Sequence, residues 1–372
     1  MRDTDVVHVD ELAGLRTQVL WAAFVVSALF GAIAQRTHFC TMGAISDIVN
    51  MGDWTRMRMW ALAVGVAMLG FALMAWMGWI DPTKTIYASG RILWLSATVG
   101  GLLFGFGMVL ASGCGSKTLV RVGGGSLKGL VVFAIMGLAS FATLRGVTAV
   151  LRSETVDKVA FDVAAGGALP QWLASVMGWA PLSVTLWMGL SVAALLMVWA
   201  LMGPGFRTAD NLLAGLGIGA AVAAMWWVSG RLGFVAEHPE TLEAVYLATN
   251  SGRMEALSFT APMAYALDWL IFYSDRSKLL TLGVVSVAGV VTGSMIYSLW
   301  TRSFRWEGFR DTRDTALHIV GALCMGVGGV TAMGCTVGQG LSGLSTLGLS
   351  SFIAVAGIVA GAGIGFRCQL WL

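Results

Sequence analysis

Three short stretches place cysteine among small and hydroxylated residues: Cys40-Thr41, Gly113-Cys114-Gly115-Ser116 and Gly334-Cys335-Thr336. An S–H group is a weak donor and a poor match for an ordinary oxyanion, but it suits a ligand that presents sulfur. Glycine before the cysteine lets the backbone approach such a ligand closely. Ser116, Thr118, Thr336 and Gln339 add neutral donors, while Lys117 and Arg121 raise the local potential for an anion. Two chemistries fit. A sulfur-bearing anion can pass from one thiol to the next without a covalent bond, or the thiols can act as thiolates in sulfur transfer where neighbours lower their pKa.

The elements that must position these corners form a repeat. Val99, Gly100, Leu102, Gly105, Gly107, Val109, Ala111, Gly113 and Cys114 recur at one fixed offset as Val320, Gly321, Leu323, Gly326, Gly328, Val330, Ala332, Gly334 and Cys335. The same offset carries Met42 onto Met263, Asp47 onto Asp268 and Trp79 onto Trp300. Each copy is a glycine-striped apolar helix running into a Gly-Cys corner, and a corner that opens a second helix presents unpaired amides with partial positive charge. Cys40 has Ala261 at its repeat position, so the repeat by itself does not single it out.

The chain is 57% hydrophobic and 12% charged, and its apolar runs are long enough to cross a hydrocarbon core. The expected fold is an all-α polytopic membrane protein. Nine spans are expected near 18–35, 57–80, 92–112, 127–150, 182–203, 209–235, 279–301, 315–333 and 347–366. Short re-entrant helices are expected at 36–47, 114–126 and 335–346, where irregular backbone at membrane depth must line a protein or water cavity. The chain divides into a polar tail (1–17), a first membrane repeat (18–151), a connector with one transmembrane helix (152–208) and a second repeat (209–372). Copies displaced by an odd number of spans lie upside down relative to each other, so the expected architecture is two inverted repeats. The acidic residues of the tail argue against a cleaved leader. Loop charges place the N-terminus outside and the C-terminus in the cytoplasm.

Other features read as structural. A net charge of +3, with no basic run, points to no nucleic-acid partner. Five cysteines without a CxxC pair argue against a disulfide framework or a metal site. Cys324 and Cys368 are assigned to packing, as are the glycine stripes. His38 and His318 lack a metal-spaced partner. Asp47 and Asp268 are assigned helix-end or interface roles rather than proton coupling.

The stretches Gln35–Asp47, Ser112–Arg121 and Gly334–Gly340 resemble, in order, the three cysteine motifs of the YeeE/YedE sulfur-transport family, which includes bacterial thiosulfate transporters. The resemblance implies uptake of thiosulfate or a related reduced sulfur anion through the inner membrane, relayed by S–H hydrogen bonds at Cys40, Cys114 and Cys335. It also implies a small cytoplasmic sulfur carrier of the TusA type as partner, and no cofactor. This sequence departs from the family's thiosulfate transporters at Lys117, where a small residue is usual, and at Leu119 and Val120, near which aromatic residues stand. Arg121 matches. The expected substrate site is therefore Cys40, Cys114, Cys335, Gly113, Gly334, Thr41, Gly115, Ser116, Lys117, Arg121, Thr336 and Gln339. The rival reading is a membrane thiol oxidoreductase or sulfurtransferase using a corner cysteine as nucleophile.

Overall fold

A backbone in lipid must satisfy its own hydrogen bonds, so the long apolar runs fold as helices. The computed structural model describes residues 9–239, 242–275 and 278–371; the first eight residues of the expected tail lie outside these. In chain order the helices are α1 (Val9–Thr37), α2 (Thr41–Met51), α3 (Thr55–Trp76), α4 (Trp94–Leu110), α5 (Gly115–Gly123), α6 (Leu127–Arg145) and α7 (Val147–Glu154). They continue as α8 (Leu169–Met177), α9 (Pro181–Leu201), α10 (Ala209–Trp227), α11 (Thr260–Ile271), α12 (Leu282–Trp300), α13 (Thr312–Thr331) and α14 (Leu349–Trp371). Side-chain caps start several of them: Ser126, Thr208, Thr281 and Asp311 accept the amide three residues on.

Among the described residues nine helical segments are long and apolar enough to span a membrane. The protein is an all-α multi-pass membrane protein. α1 starts at Val9, ahead of the expected 18, and Gly146 divides the fourth expected span into α6 and α7. The loop expected over 236–278 contains α11, which is 12 residues long and too short to register as a span. By the repeat offset it is the counterpart of α2.

Connections pair with connections of the same face, as alternating spans require. Ile86 N donates to Met254 O, and Leu169 N to Leu347 O, on one face; Leu127 N donates to Glu307 O on the other. Two short antiparallel pairings, Arg91–Ile92 with Phe161–Asp162 and Phe234–Val235 with Val245–Tyr246, are the sheets among the described residues.

Helix packing repeats itself across the two halves. α1 packs on α12 while α3 packs on α10; α4 packs on α14 while α13 packs on α6. At the centre α4 crosses α13 antiparallel, and there glycine is required by close approach. A Cβ on Gly100 would lie 2.7 Å from Gly328 O, and one on Gly321 would lie 2.6 Å from Gly107 O. Gly107 and Gly328 return the contact, at 2.6 Å from Gly321 O and 2.7 Å from Gly100 O. Backbone meets backbone, the geometry that small residues permit between membrane helices. Cys324 packs at this crossing, beside Gly107.

Candidate functional site: three cysteine corners

The chain turns one kind of corner three times. His38, Ser112 and Met333 are non-glycine residues in the left-handed region, with φ of 52°, 54° and 56°, each at a cost of about 1–2 kcal/mol. Two residues after each comes a cysteine: Cys40, Cys114, Cys335. The corners after α4 and α13 share their bonds as well, since Gly113 N donates to Met108 O and Gly334 N to Gly329 O. A left-handed residue ends the helix, and the cysteine then caps the next segment.

Cys114 opens α5 without a side-chain cap bond. Cys40 and Cys335 each accept the backbone amide three residues on: Gly43 N reaches Cys40 Sγ at 3.4 Å and Gly338 N reaches Cys335 Sγ at 3.4 Å. Those amides are thus taken by the thiols rather than offered to a ligand. A sulfur held as acceptor by an amide keeps its own proton for outward donation.

The corners converge. The Cys40 and Cys114 side chains lie close enough to act on each other. The Ser116 hydroxyl lies 3.3 Å from Cys114 Sγ, the Thr336 hydroxyl flanks the same sulfur, and Cys335 interacts electrostatically with Cys114. Cys114 and Cys335 are fully buried and Cys40 nearly so. The thiols run in the order Cys40, Cys114, Cys335.

The two ends of this row differ in charge. Lys117, Arg121, Arg56 and His38 cluster on the Cys40 side, close enough to act on one another electrostatically. The Lys117 stem covers Gly113, and the Arg121 guanidinium reaches over the same glycine. On the Cys335 side stand Tyr87 and Glu255. Burial pushes the Tyr87 phenol above its ordinary value, so it stays protonated and donates to Gly338 O at 2.6 Å. Glu255 is also pushed up by burial, although its carboxylate accepts from the Ser251 amide and hydroxyl.

Several expected site residues are committed to the protein itself. The Gln339 amide donates to Ala332 O at 2.7 Å and accepts from Ser351 Oγ at 2.6 Å. Gly115 packs against Met136 and Met263, and Gly334 against the Gln339 stem. Thr41, the residue after Cys40, lines a cavity with Thr336. The segment after Cys335 is a π-helical turn over Gly338–Gly343 rather than a short α-helix, and its glycines lie against Ser258, Trp60 and Ser351. Nothing in the sequence singles out Arg56, Tyr87, Glu255 or Trp60. Each stands in an ordinary helix start, loop or apolar run, with no motif to mark it.

The profile that describes sulphur transport matches residues 36–364, most of the chain and all three corners. The chain belongs to the sulphur-transport family. The thiosulfate transporter TsuA of Spirochaeta thermophila is 26% identical over 353 residues, covering 90% of this chain and 94% of the relative. TsuA of Escherichia coli is 28% identical over 333 residues, 87% of each. The probable transporter YedE of Escherichia coli matches a shorter stretch, 27% identical over 131 residues, 35% of this chain and 29% of the relative. These relatives are named as transporters rather than enzymes.

The polar residues assigned to structural roles have partners that fit them. Asp47 pairs with Arg56 at 3.3 Å and its repeat equivalent Asp268 with Lys278 at 2.6 Å, each tying a short helix to the chain beyond its end. His318 Nδ1 lies 2.8 Å from Asp314 O and its ring meets Phe309 edge-on.

Proposed function

We propose that this sulphur-transport protein carries thiosulfate, or a closely related reduced sulfur anion, through the inner membrane past Cys40, Cys114 and Cys335. One observation carries the reading: three buried cysteines on one repeated corner geometry, with Cys40 and Cys335 each close enough to Cys114 to act on it. The amide hydrogen bonds to Cys40 and Cys335 leave those thiol protons free to point toward the path. A thiosulfate ion offers a soft, charged sulfur to these donors, and moves by exchanging one weak S–H hydrogen bond for the next. Weak, multiple sites let an ion enter and leave, where one tight site would trap it.

The two halves act as inverted repeats meeting at the crossing of α4 and α13. The pairwise exchange of contacts supports this, since Gly100 against Gly328 and Gly321 against Gly107 map onto each other through the repeat offset. We assign the Cys40 end, with Arg56, Lys117 and Arg121, to the cytoplasm, and the N-terminus to the outside. The cations then draw an incoming anion inward, to the face where a carrier of the TusA type can collect it.

Uptake of sulfur-labelled thiosulfate into proteoliposomes tests the proposal, with excess sulfate as competitor. Saturable uptake that sulfate does not suppress, and that Cys114→Ala and Cys335→Ala abolish, is expected. Equal inhibition by sulfate sinks the thiol path. A stable persulfide on Cys114 or Cys335 formed during turnover would favour the sulfurtransferase chemistry instead.

A further inference from the structure

Lys117 and Arg121 stand one turn apart on α5, both half-buried, and among the described residues no ion pair joins either to an acid. The arginines nearby differ, since Arg56 pairs with Asp47 at 3.3 Å and Arg36 with Asp210 at 2.9 Å. The groups that act most strongly on the Lys117 ammonium are Cys40, Arg121, Cys114 and Arg56, two thiols and two further cations. Both side chains hang over the corner. Lys117 Cγ lies 3.2 Å from where a Cβ on Gly113 would stand, and an Arg121 guanidinium nitrogen lies 3.8 Å from the same point.

The corner does not need these charges to form. At the repeat offset stand Gly338 and Ser342, and that second corner closes with the same left-handed residue and the same backbone bond. Two like charges held together partly out of water repel each other, and each gives up hydration. A ligand with two negative charges offsets both costs at once.

We propose that Lys117 and Arg121 are specificity-determining residues that select by charge, so that the site takes a sulfur-bearing dianion in preference to a monoanion with the same sulfur end. The inference rests on the transport reading and narrows its substrate to the doubly charged class. A neutral S–H donor recognises sulfur but not valence. Selection by valence falls to fixed cations, and these two have no counter-charge of their own. Coulomb energy is proportional to the ligand's charge, so removing one cation costs a dianion twice the free energy it costs a monoanion. The fold-change in affinity for the dianion is then the square of that for the monoanion.

The test compares thiosulfate with methanethiosulfonate, the monoanion in which a methyl group replaces one oxygen and the terminal sulfur is kept. Uptake of labelled thiosulfate into proteoliposomes is inhibited by unlabelled thiosulfate or by methanethiosulfonate, at one ionic strength because salt screens exposed charge. Wild type, Lys117→Gln, Arg121→Gln and Lys117→Arg are compared, each checked for monodisperse elution. Wild type is expected to need about tenfold more methanethiosulfonate than thiosulfate for half-inhibition. Each glutamine variant should weaken thiosulfate about tenfold and methanethiosulfonate about threefold, so the ratio of the two falls about threefold. Lys117→Arg keeps the charge and should keep the ratio. A wild-type ratio in both glutamine variants overturns the selection by charge and leaves the transport reading standing. So does a ratio near one in the wild type, or a Lys117→Arg ratio as low as that of Lys117→Gln. Where one glutamine variant fails to fold, the other reads the same ratio. Absence of thiosulfate uptake in the wild type overturns both readings.

Discussion

Cys114 is the residue on which the thiol row turns, since it meets the Ser116 hydroxyl and has Cys40 and Thr336 as neighbours. Its value lies in softness as well as in hydrogen bonding. Cys114→Ser keeps a donor of similar size but replaces sulfur with a hard oxygen. Thiosulfate uptake is expected to fall by about tenfold or more, since the remaining O–H prefers an oxygen acceptor. Glu255 carries a different prediction. Burial raises its pKa, so the folded protein holds the proton more tightly than the unfolded chain does. Its contribution to stability is full below the unfolded carboxyl's ordinary pKa and is lost as the pH rises through the folded value. Glu255→Gln keeps an acceptor for Ser251 and removes the charge, so it should raise the melting temperature at pH 7 and leave it nearly unchanged at pH 4. A melting temperature shifted equally at both would show that charge is not the reason.

At the level of elements, the corners depend on helices that end without unwinding. Ser112 and Met333 adopt left-handed backbone, and the residue before each, Ala111 and Ala332, lies against a glycine of the other helix at the α4 and α13 crossing. Gly321→Val puts a branched side chain against Gly107 O and Ala111 N, each 2.6 Å from the first added carbon. The crossing must open, and a loss of about 1–3 kcal/mol is expected, read as a lower melting temperature in detergent together with lost uptake. Gly308, with nothing near its Cβ position, serves as the control, and Gly308→Ala should behave as wild type. The short helices α2 and α11 are equivalent in place but not in chemistry. Of the two, α2 alone is preceded by a cysteine, which is why a repeat alone singles out two corners and the row contains three.

For the whole molecule, nine candidate spans among the described residues, an odd number, agree with the proposal that the two ends lie on opposite faces. Tags at each end, probed with a membrane-impermeant reagent in intact cells, should react at the N-terminus and stay protected at the C-terminus. The reverse pattern would invert the assignment of the cationic end and with it the inward pull on the anion. The charge difference along the thiol row is a property of the assembled halves. At the repeat offset Lys117 corresponds to Gly338 and Arg121 to Ser342, so the second corner is the neutral copy of the first. A pseudo-symmetric scaffold thereby acquires a direction.

Much of this was legible in the chain. Apolar length marks the spans, because lipid leaves a backbone no partner but itself. The identities at one fixed offset mark the Gly-Cys corners, and the cysteine motifs mark the family. The corner conformation, the proximity of Cys40 to Cys114, and the commitment of Gln339 to Ala332 and Ser351 were decided only by the tertiary structure. They depend on which helix ends meet, a matter of packing between segments that the sequence keeps apart. Lys117 shows the limit most plainly. In sequence it is one of 23 lysines and arginines, set beside a cysteine corner. What separates it from a paired cation such as Arg56 is a missing acid, and a partner is missing only with respect to neighbours that folding brings.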